Sequence, residues 1–125
     1  TESLNHNVGL VWEIISDLSR SDWVPGVDEI SMENDTREFF MQGMGKIKEK
    51  ILLCDETNKV LKYSAIETPA EIKHHLACIE LTENETGCDF SWSTEIDPEI
   101  YGSGLEQGMI SSLEQLKKIL DNQLP

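Results

Sequence analysis

The sequence predicts an α+β fold in which an antiparallel sheet buries one face against a long C-terminal helix. Three features of the 125-residue chain predict this class: an amphipathic helical segment near the N-terminus, a middle of consecutive strand-like segments, and a terminal stripe of apolar residues at helical spacing. We expect residues 1–125 to form a single domain, because the chain has the length of one domain and contains no internal repeat, low-complexity tract or flexible linker.

The first helix is predicted over Val8–Leu18, where apolar residues recur every three or four positions and Asn7 is placed to act as the N-cap. Ser19–Val27 contains a Pro-Gly turn and indicates a loop or short helix that leads back to a strand. Trp12 and Trp23 are expected to pack between this helix and the sheet.

Six strands are predicted in the middle of the chain. Their connections are short and rich in Asn, Asp, Glu, Thr and Gly, so neighbouring strands should pair antiparallel. Alternation within the third of these strands puts Ile47, Glu49, Ile51 and Leu53 on one face and three lysines with Leu52 on the other. The six segments are Asp28–Met32, Thr36–Gln42, Lys46–Cys54, Val60–Glu67, Ile72–Thr82 and Asp89–Ile96.

The terminal helix is predicted to begin at Ser103, because Ser103 and Glu106 have the spacing of a capping box. An apolar stripe then continues for about four turns at the helical repeat. It consists of Leu105, Met109, Leu113, Leu116 and Leu120.

Composition excludes several classes of function. Ten basic residues against 24 acidic ones give a net charge of −14, which repels nucleic acid and anionic membrane surfaces. No run of 18 apolar residues is present, so membrane insertion is not expected. The opening TESLNHN lacks the basic start and apolar stretch of a signal peptide, and we therefore expect a cytoplasmic protein.

The three cysteines, Cys54, Cys78 and Cys88, have no CxxC spacing and lie in predicted strands. An odd number of cysteines in such a chain indicates reduced thiols, which would act as small buried apolar residues. No metal site is predicted from them. The chain also lacks GxGxxG, GxxxxGK[ST] and GxSxG motifs, so neither a nucleotide cofactor nor covalent catalysis is expected.

Four segments that together span nearly the whole chain resemble one known family: VWEIISDLSRSDWVPGV, TREFFMQGMGKIKEKILLCDETNKVLKYSAIE, GCDFSWSTEIDP and GLEQGMISSLEQLKKIL. The order and spacing of W-x-P, G-x-I-x-E, V-L-x-Y and the final GL-helix are similar to those of the START-like (SRPBCC) superfamily, in its polyketide cyclase/dehydrase-like branch. The resemblance implies a helix-grip fold, in which a curved antiparallel sheet wraps around the C-terminal helix and encloses an internal cavity. It also implies a short first strand within Thr1–His6.

In that fold the concave face of the sheet and one face of the last helix line the cavity. Combined with strand alternation, the resemblance implies an apolar and aromatic lining with a few polar groups, as is usual for small-molecule pockets. Gly108 and Ser112 would leave space that a larger residue would fill. The implied lining is Phe39, Met41, Glu49, Ile51, Tyr63, Ala65, His75, Ala77, Phe90, Trp92 and Thr94 from the sheet, with Leu105, Gly108, Met109 and Ser112 from the helix.

Glu49 and His75 are the candidate catalytic residues of this lining. An inward Glu49 among apolar neighbours would have a raised pKa and could accept a proton or anchor a ligand. Alternatively, it faces solvent beside the flanking lysines or pairs with Arg37. Alternation directs one imidazole of His74 and His75 inward and the other outward, and His75 could act as a general base, a hydrogen-bonding group or an ordinary core residue.

Three functions remain open from the sequence. The first is binding of a hydrophobic or amphipathic small molecule, the second a cyclase, dehydratase or isomerase that uses Glu49 or His75, and the third an interaction module whose cavity has collapsed. Val24 stands where the related plant hormone receptors use a lysine to bind a carboxylate, so the resemblance does not favour an acidic hormone. Glu49 and the net charge of −14 instead favour a neutral or cationic amphiphile.

Overall fold

A computed structural model describes residues 1–122 and confirms the α+β helix-grip fold. Residues 1–122 form seven strands and two α-helices, and a 3-10 turn at Glu99–Tyr101 precedes the second helix. In chain order the elements are β1 (Glu2–Leu4), α1 (Val8–Ile15), β2 (Val27–Glu33), β3 (Thr36–Met41), β4 (Gly45–Asp55), β5 (Val60–Glu67), β6 (His74–Glu83), β7 (Cys88–Asp97) and α2 (Gly102–Asn122).

The seven strands form one curved antiparallel sheet in the order β1-β7-β6-β5-β4-β3-β2. Strands that follow one another from β2 to β7 are neighbours, as the short polar connections predict. β1 crosses to pair with β7, which leaves β1 and β2 as the edges of the sheet. Because the edges do not meet, the sheet stays open and one concave face must be covered by helices.

The main core lies where α1 and the second half of α2 cover the concave face. Leu116 and Leu120 are no more than 1% exposed and pack with side chains from both α1 and the sheet. Burial of each such side chain contributes about 1.5–3 kcal/mol. The other members of this core include Val11, Ile14 and Ile15 of α1 and Leu61, Ile79, Leu81, Cys88 and Phe90 of the sheet.

The helix ends differ from their predicted positions. Asn7 caps α1 as predicted, since its side chain accepts a hydrogen bond from Gly9 N at 2.8 Å. α1 ends at Ile15 rather than Leu18, because the chain turns tightly through a bond from Arg20 N to the Asp17 carbonyl. The predicted capping box is wrong: the 3-10 turn runs directly into α2 at Gly102, which puts Ser103 inside the helix.

The sequence predicts that Leu53 is the last inward-facing residue of β4, but the predicted alternation holds only as far as Ile51. The pairing of β4 with β5 shifts register between Ile51 and Leu53, so Leu53 is 40% exposed instead of buried. An irregularity of this kind adds a residue to one strand and reverses the alternation beyond it. The predicted start of the next long strand at Ile72 is also early, since β6 begins at His74.

The end of α2 is fastened to the N-terminal segment. His6 Nε2 lies 3.0 Å from Asp121 Oδ1, and Lys117 Nζ contacts the Glu2 carboxylate. Beside them, a Cβ added to Gly87 would collide with the backbones of Leu4 and His6. Only glycine therefore allows β1 to approach the start of β7 this closely.

This close approach predicts opposite effects for two glycine-to-alanine changes. Gly87→Ala should lower the free energy of unfolding by about 1–3 kcal/mol, because the added methyl overpacks against backbone that cannot move freely. Gly104→Ala, in the open first turn of α2, should instead raise it by up to about 1 kcal/mol through helix propensity. Urea unfolding measures both, and equal effects of the two variants would contradict the packing described for Gly87.

Candidate functional site

A buried ion pair is the main polar feature of the concave face. Arg37 of β3 and Glu49 of β4 are direct cross-strand partners, and Arg37 Nε donates to Glu49 Oε1 at 2.7 Å. Their side chains are only 13% and 11% exposed. The structure thus decides between the alternatives for Glu49: it points inward and pairs with Arg37.

Burial and charge determine the protonation of this cluster. Burial raises the pKa of the Glu49 carboxyl above its ordinary value, although Arg37 opposes this shift through its charge and its hydrogen bond. Burial raises the pKa of the neighbouring Tyr63 phenol, and the Glu49 charge adds to the effect. Tyr63 is therefore a neutral hydroxyl at physiological pH.

Arg37 stacks on Tyr63 and keeps most of its donors available. The guanidinium carbon lies 4.7 Å from the ring centroid, in cation–π contact. Among residues 1–122, Glu49 is the only side chain that accepts a hydrogen bond from Arg37. Within these residues, only His6 Nδ1 and Trp92 Nε1 are side-chain atoms that are both fully buried and without a hydrogen-bond partner. The other guanidinium nitrogens of Arg37, which also lack a side-chain acceptor, are therefore still accessible.

Aromatic rings extend the site across the sheet from Tyr63. Trp92 packs against Phe90 with ring centroids 6.1 Å apart and against Trp23 at 5.7 Å. The Trp92 indole lies close enough to the Tyr63 hydroxyl to lower the pKa of that phenol slightly, against the larger rise from burial. Even so, Trp92 Nε1 makes no hydrogen bond within the described part of the chain, and a buried N–H without an acceptor is costly.

The side chain of His75 in β6 forms a hydrogen bond with the backbone of β5, beyond the last backbone pair of the two strands. The β5–β6 ladder ends at Tyr63 and Ala77, and beyond it Ala65 N donates to His75 Nδ1 at 2.8 Å. Because Nδ1 accepts this bond, the proton of the neutral ring lies on Nε2. Burial, and to a lesser extent the neighbouring His74, lower the pKa of His75. The ring can therefore donate from Nε2, whereas its accepting nitrogen is already used.

The first half of α2 leaves the site open. Leu105 and Met109 face the sheet but are only half-buried, and Thr94 Oγ1 approaches Met109 Sδ at 3.3 Å. Ser112 is 4% exposed, where the dry core begins. Gly108 is exposed, and a Cβ there would meet nothing within 4 Å.

Apart from Gly108, which is exposed, the structure separates the implied lining into three groups. Tyr63, His75, Ala77, Phe90 and Ser112 are buried, with Glu49, on the concave face. Partly buried residues on the same side are Ile51, Ala65, Trp92, Thr94, Leu105 and Met109. Phe39 and Met41 instead join a separate small cluster with Val27 and Ile47, beyond the ion pair.

Arg37 is predicted from the sequence only as a possible partner of Glu49 and not as part of the lining. The signal was available, because Arg37 has the same parity in β3 as the inward Phe39 and Met41. Trp23 was interpreted as a packing residue, and its contact with Trp92 also places it at the border of the site.

A solvent-open groove of about 730 Å³ lies away from this site, along the β2–β3 edge. Among its lining residues are Asp28, Glu29, Phe40 and Lys46, and it shares only Phe39 with the implied lining. We place the candidate site on the concave face because the buried charges and the unpartnered donor lie there.

Within residues 1–122, no group of three His, Cys, Asp or Glu side chains is arranged to hold a metal ion, and neither helix could cross a bilayer. The three thiols are unpaired. Only Cys88 is fully buried, whereas Cys54 is exposed, contrary to the expectation that all three are core residues.

These features define a helix-grip protein with an open, partly polar concave site. The family model described as "Polyketide cyclase / dehydrase and lipid transport" matches residues 2–122, and the chain belongs to this family. This confirms the resemblance drawn from the sequence. Among curated proteins, none matches the chain.

Solved structures share the fold at low sequence identity. The protein XoxI of Bacillus cereus is 19% identical, with 94% of this chain and 89% of that chain covered at a TM-score of 0.83. A Mesorhizobium loti protein is 16% identical, with 99% and 96% covered and a TM-score of 0.76. Norcoclaurine synthase of Thalictrum flavum, solved with dopamine and hydroxybenzaldehyde, is 15% identical, with 98% and 84% covered and a TM-score of 0.73.

The buried pair predicts a pH-dependent defect. Arg37→Met leaves the Glu49 carboxylate buried without its partner, and the free energy of unfolding should fall by about 3–5 kcal/mol at pH 8. A carboxyl whose pKa is raised in the folded state adds stability below its unfolded pKa of about 4.3 and loses it as pH rises. The deficit relative to wild type should therefore shrink between pH 8 and pH 5 in urea unfolding. Measured against Glu49→Gln, the double variant Arg37→Met/Glu49→Gln should show a deficit that does not depend on pH, because neither protein has the buried carboxyl. A pH-independent deficit in the single Arg37→Met variant would contradict this account.

The His75 geometry predicts one tautomer. Nitrogen-detected NMR should show the proton on Nε2, with titration below the ordinary histidine pKa of about 6.5. Assigning His74 in the same spectra keeps the two neighbouring rings apart. A proton on Nδ1 would be inconsistent with the bond from Ala65 N.

Proposed function

We propose that the protein binds a hydrophobic or amphipathic small molecule on the concave face of the sheet, beneath the first half of α2. The observation that carries this proposal is the uneven coverage of that face. Leu116 and Leu120 close the core at the second half of the helix, whereas Leu105 and Met109 of the first half and Trp92 of β7 remain half-buried. Apolar surface that is turned inward but not covered is typical of ligand sites.

The polar groups of the site support the same proposal. In the buried Arg37–Glu49 pair, the attraction between the two charges compensates poorly for the free energy of removing them from water. Apolar residues at the two positions would give equal or greater stability, so stability alone does not account for the pair. A few fixed polar groups beside an apolar wall orient a ligand in many pockets. The family description, which includes lipid transport, agrees with a ligand of this class.

Proton-transfer catalysis is a second candidate, favoured by one observation. Glu49 is a buried carboxyl with a raised pKa beside Arg37 and the neutral Tyr63, which are conditions that suit a general acid or base. His75 is less suited to the role of base, since Nδ1 accepts the bond from Ala65 N.

Filling the space under α2 should block binding. We expect an environment-sensitive apolar dye to bind the wild type and Ser112→Leu to weaken that binding at least tenfold, because the larger side chain enters the site at the edge of the dry core. Ser111→Leu is the matched control: it makes the same change on the exposed side of the helix and should alter binding less than twofold. Dye fluorescence and native mass spectrometry of the purified protein measure both, and absence of any bound apolar species would overturn the proposal.

A further inference from the structure

The donors of the concave site outnumber its acceptors. Arg37 keeps all its N–H groups except Nε free of side-chain acceptors within residues 1–122, and Trp92 Nε1–H is buried without a partner. His75 presents a further N–H at Nε2, because its Nδ1 is occupied. The acceptors of the cluster are the Tyr63 hydroxyl oxygen and the second oxygen of Glu49, whose first oxygen already accepts a hydrogen bond from Arg37 Nε.

These groups lie next to one another rather than scattered over the face. Arg37 stacks on Tyr63 at 4.7 Å, and the His75 ring centroid lies 6.1 Å from that of Tyr63. The Trp92 indole is also close to the Tyr63 hydroxyl. Tyr63 is thus the centre of a donor array, and the half-buried Trp92 adjoins it as an apolar surface.

We propose that the bound molecule is an amphiphile with an acceptor-rich polar end, a carboxylate, that binds the free N–H groups of Arg37 while its apolar part lies beneath α2. This inference rests on the proposed function and names the class of ligand. A carboxylate matches the planar guanidinium and accepts two parallel bonds from it, which are about twice as strong as neutral hydrogen bonds. A protonated amine would meet mostly donors, since the acceptors of the cluster are the Glu49 oxygens and the Tyr63 hydroxyl oxygen.

The inference revises the preference for a neutral or cationic ligand drawn from the sequence. That preference used the charge of Glu49, which the structure shows to be paired with Arg37. The overall charge of −14 repels an approaching anion, but this long-range effect is screened by salt within about 8–10 Å. Contacts inside the site are screened much less, so they decide the selectivity.

Three amphiphiles of equal chain length test the inference: octanoate, octanol and octylamine, titrated at pH 7.5 against the wild type by displacement of the apolar dye. We expect octanoate to bind about tenfold more tightly than octanol and octylamine to bind most weakly. Glu49→Gln keeps the shape of the side chain and an oxygen for Arg37 Nε while removing the opposing charge. It should strengthen octanoate binding about tenfold and change octanol binding less than twofold.

The double variant Arg37→Gln/Glu49→Gln is the matched control, since it removes both charges and leaves no buried carboxylate unpaired. It should bind octanol as the wild type does and lose the preference for octanoate. Equal affinity for the three amphiphiles, tightest binding of octylamine, or no gain in octanoate binding with Glu49→Gln would overturn the inference and leave the proposed function standing. Failure of all three amphiphiles and of the dye to bind the wild type would overturn the proposed function itself.

Discussion

The rest of the structure depends on how the single concave face of the sheet is covered. Seven antiparallel strands in an open sheet have an apolar inner face that must be removed from water, and two helices are available in the described chain to do it. α1 and the second half of α2 cover one part of that face completely, with Leu116 and Leu120 in the middle of the core. The first half of α2 covers the rest only in part.

This uneven coverage explains why charged groups are found where they are. A fully sealed position would require every donor and acceptor of Arg37 and Glu49 to be paired inside the protein. At the open part of the face, their remaining groups stay accessible, and the cost of burial is lower. The same opening that makes the ion pair tolerable also allows a ligand to reach it, so structure and proposed function have one physical origin.

The local pattern of apolar and polar residues predicts the helices and strands but not exactly where they begin and end. The period-2 alternation placed Glu49 and Tyr63 on the inner face, and both lie there. The same alternation failed at Leu53, because a register shift between β4 and β5 depends on how two strands pair and has no signature in either one. Ser103 was misplaced for a similar reason: a capping pattern is satisfied only if the preceding residues are not already helical, and here a 3-10 turn precedes it.

By itself the sequence determined the fold class, the family and the inward direction of most site residues, because these follow from periodicity and from motifs that are local in the chain. The tertiary structure decided which of those residues act together. It paired Arg37 with Glu49 across two strands, used His75 Nδ1 to bind the backbone of β5, and left Trp92 Nε1 without an acceptor among residues 1–122. Hydrogen bonding and desolvation depend on distances between residues far apart in the chain, and only the folded arrangement sets those distances.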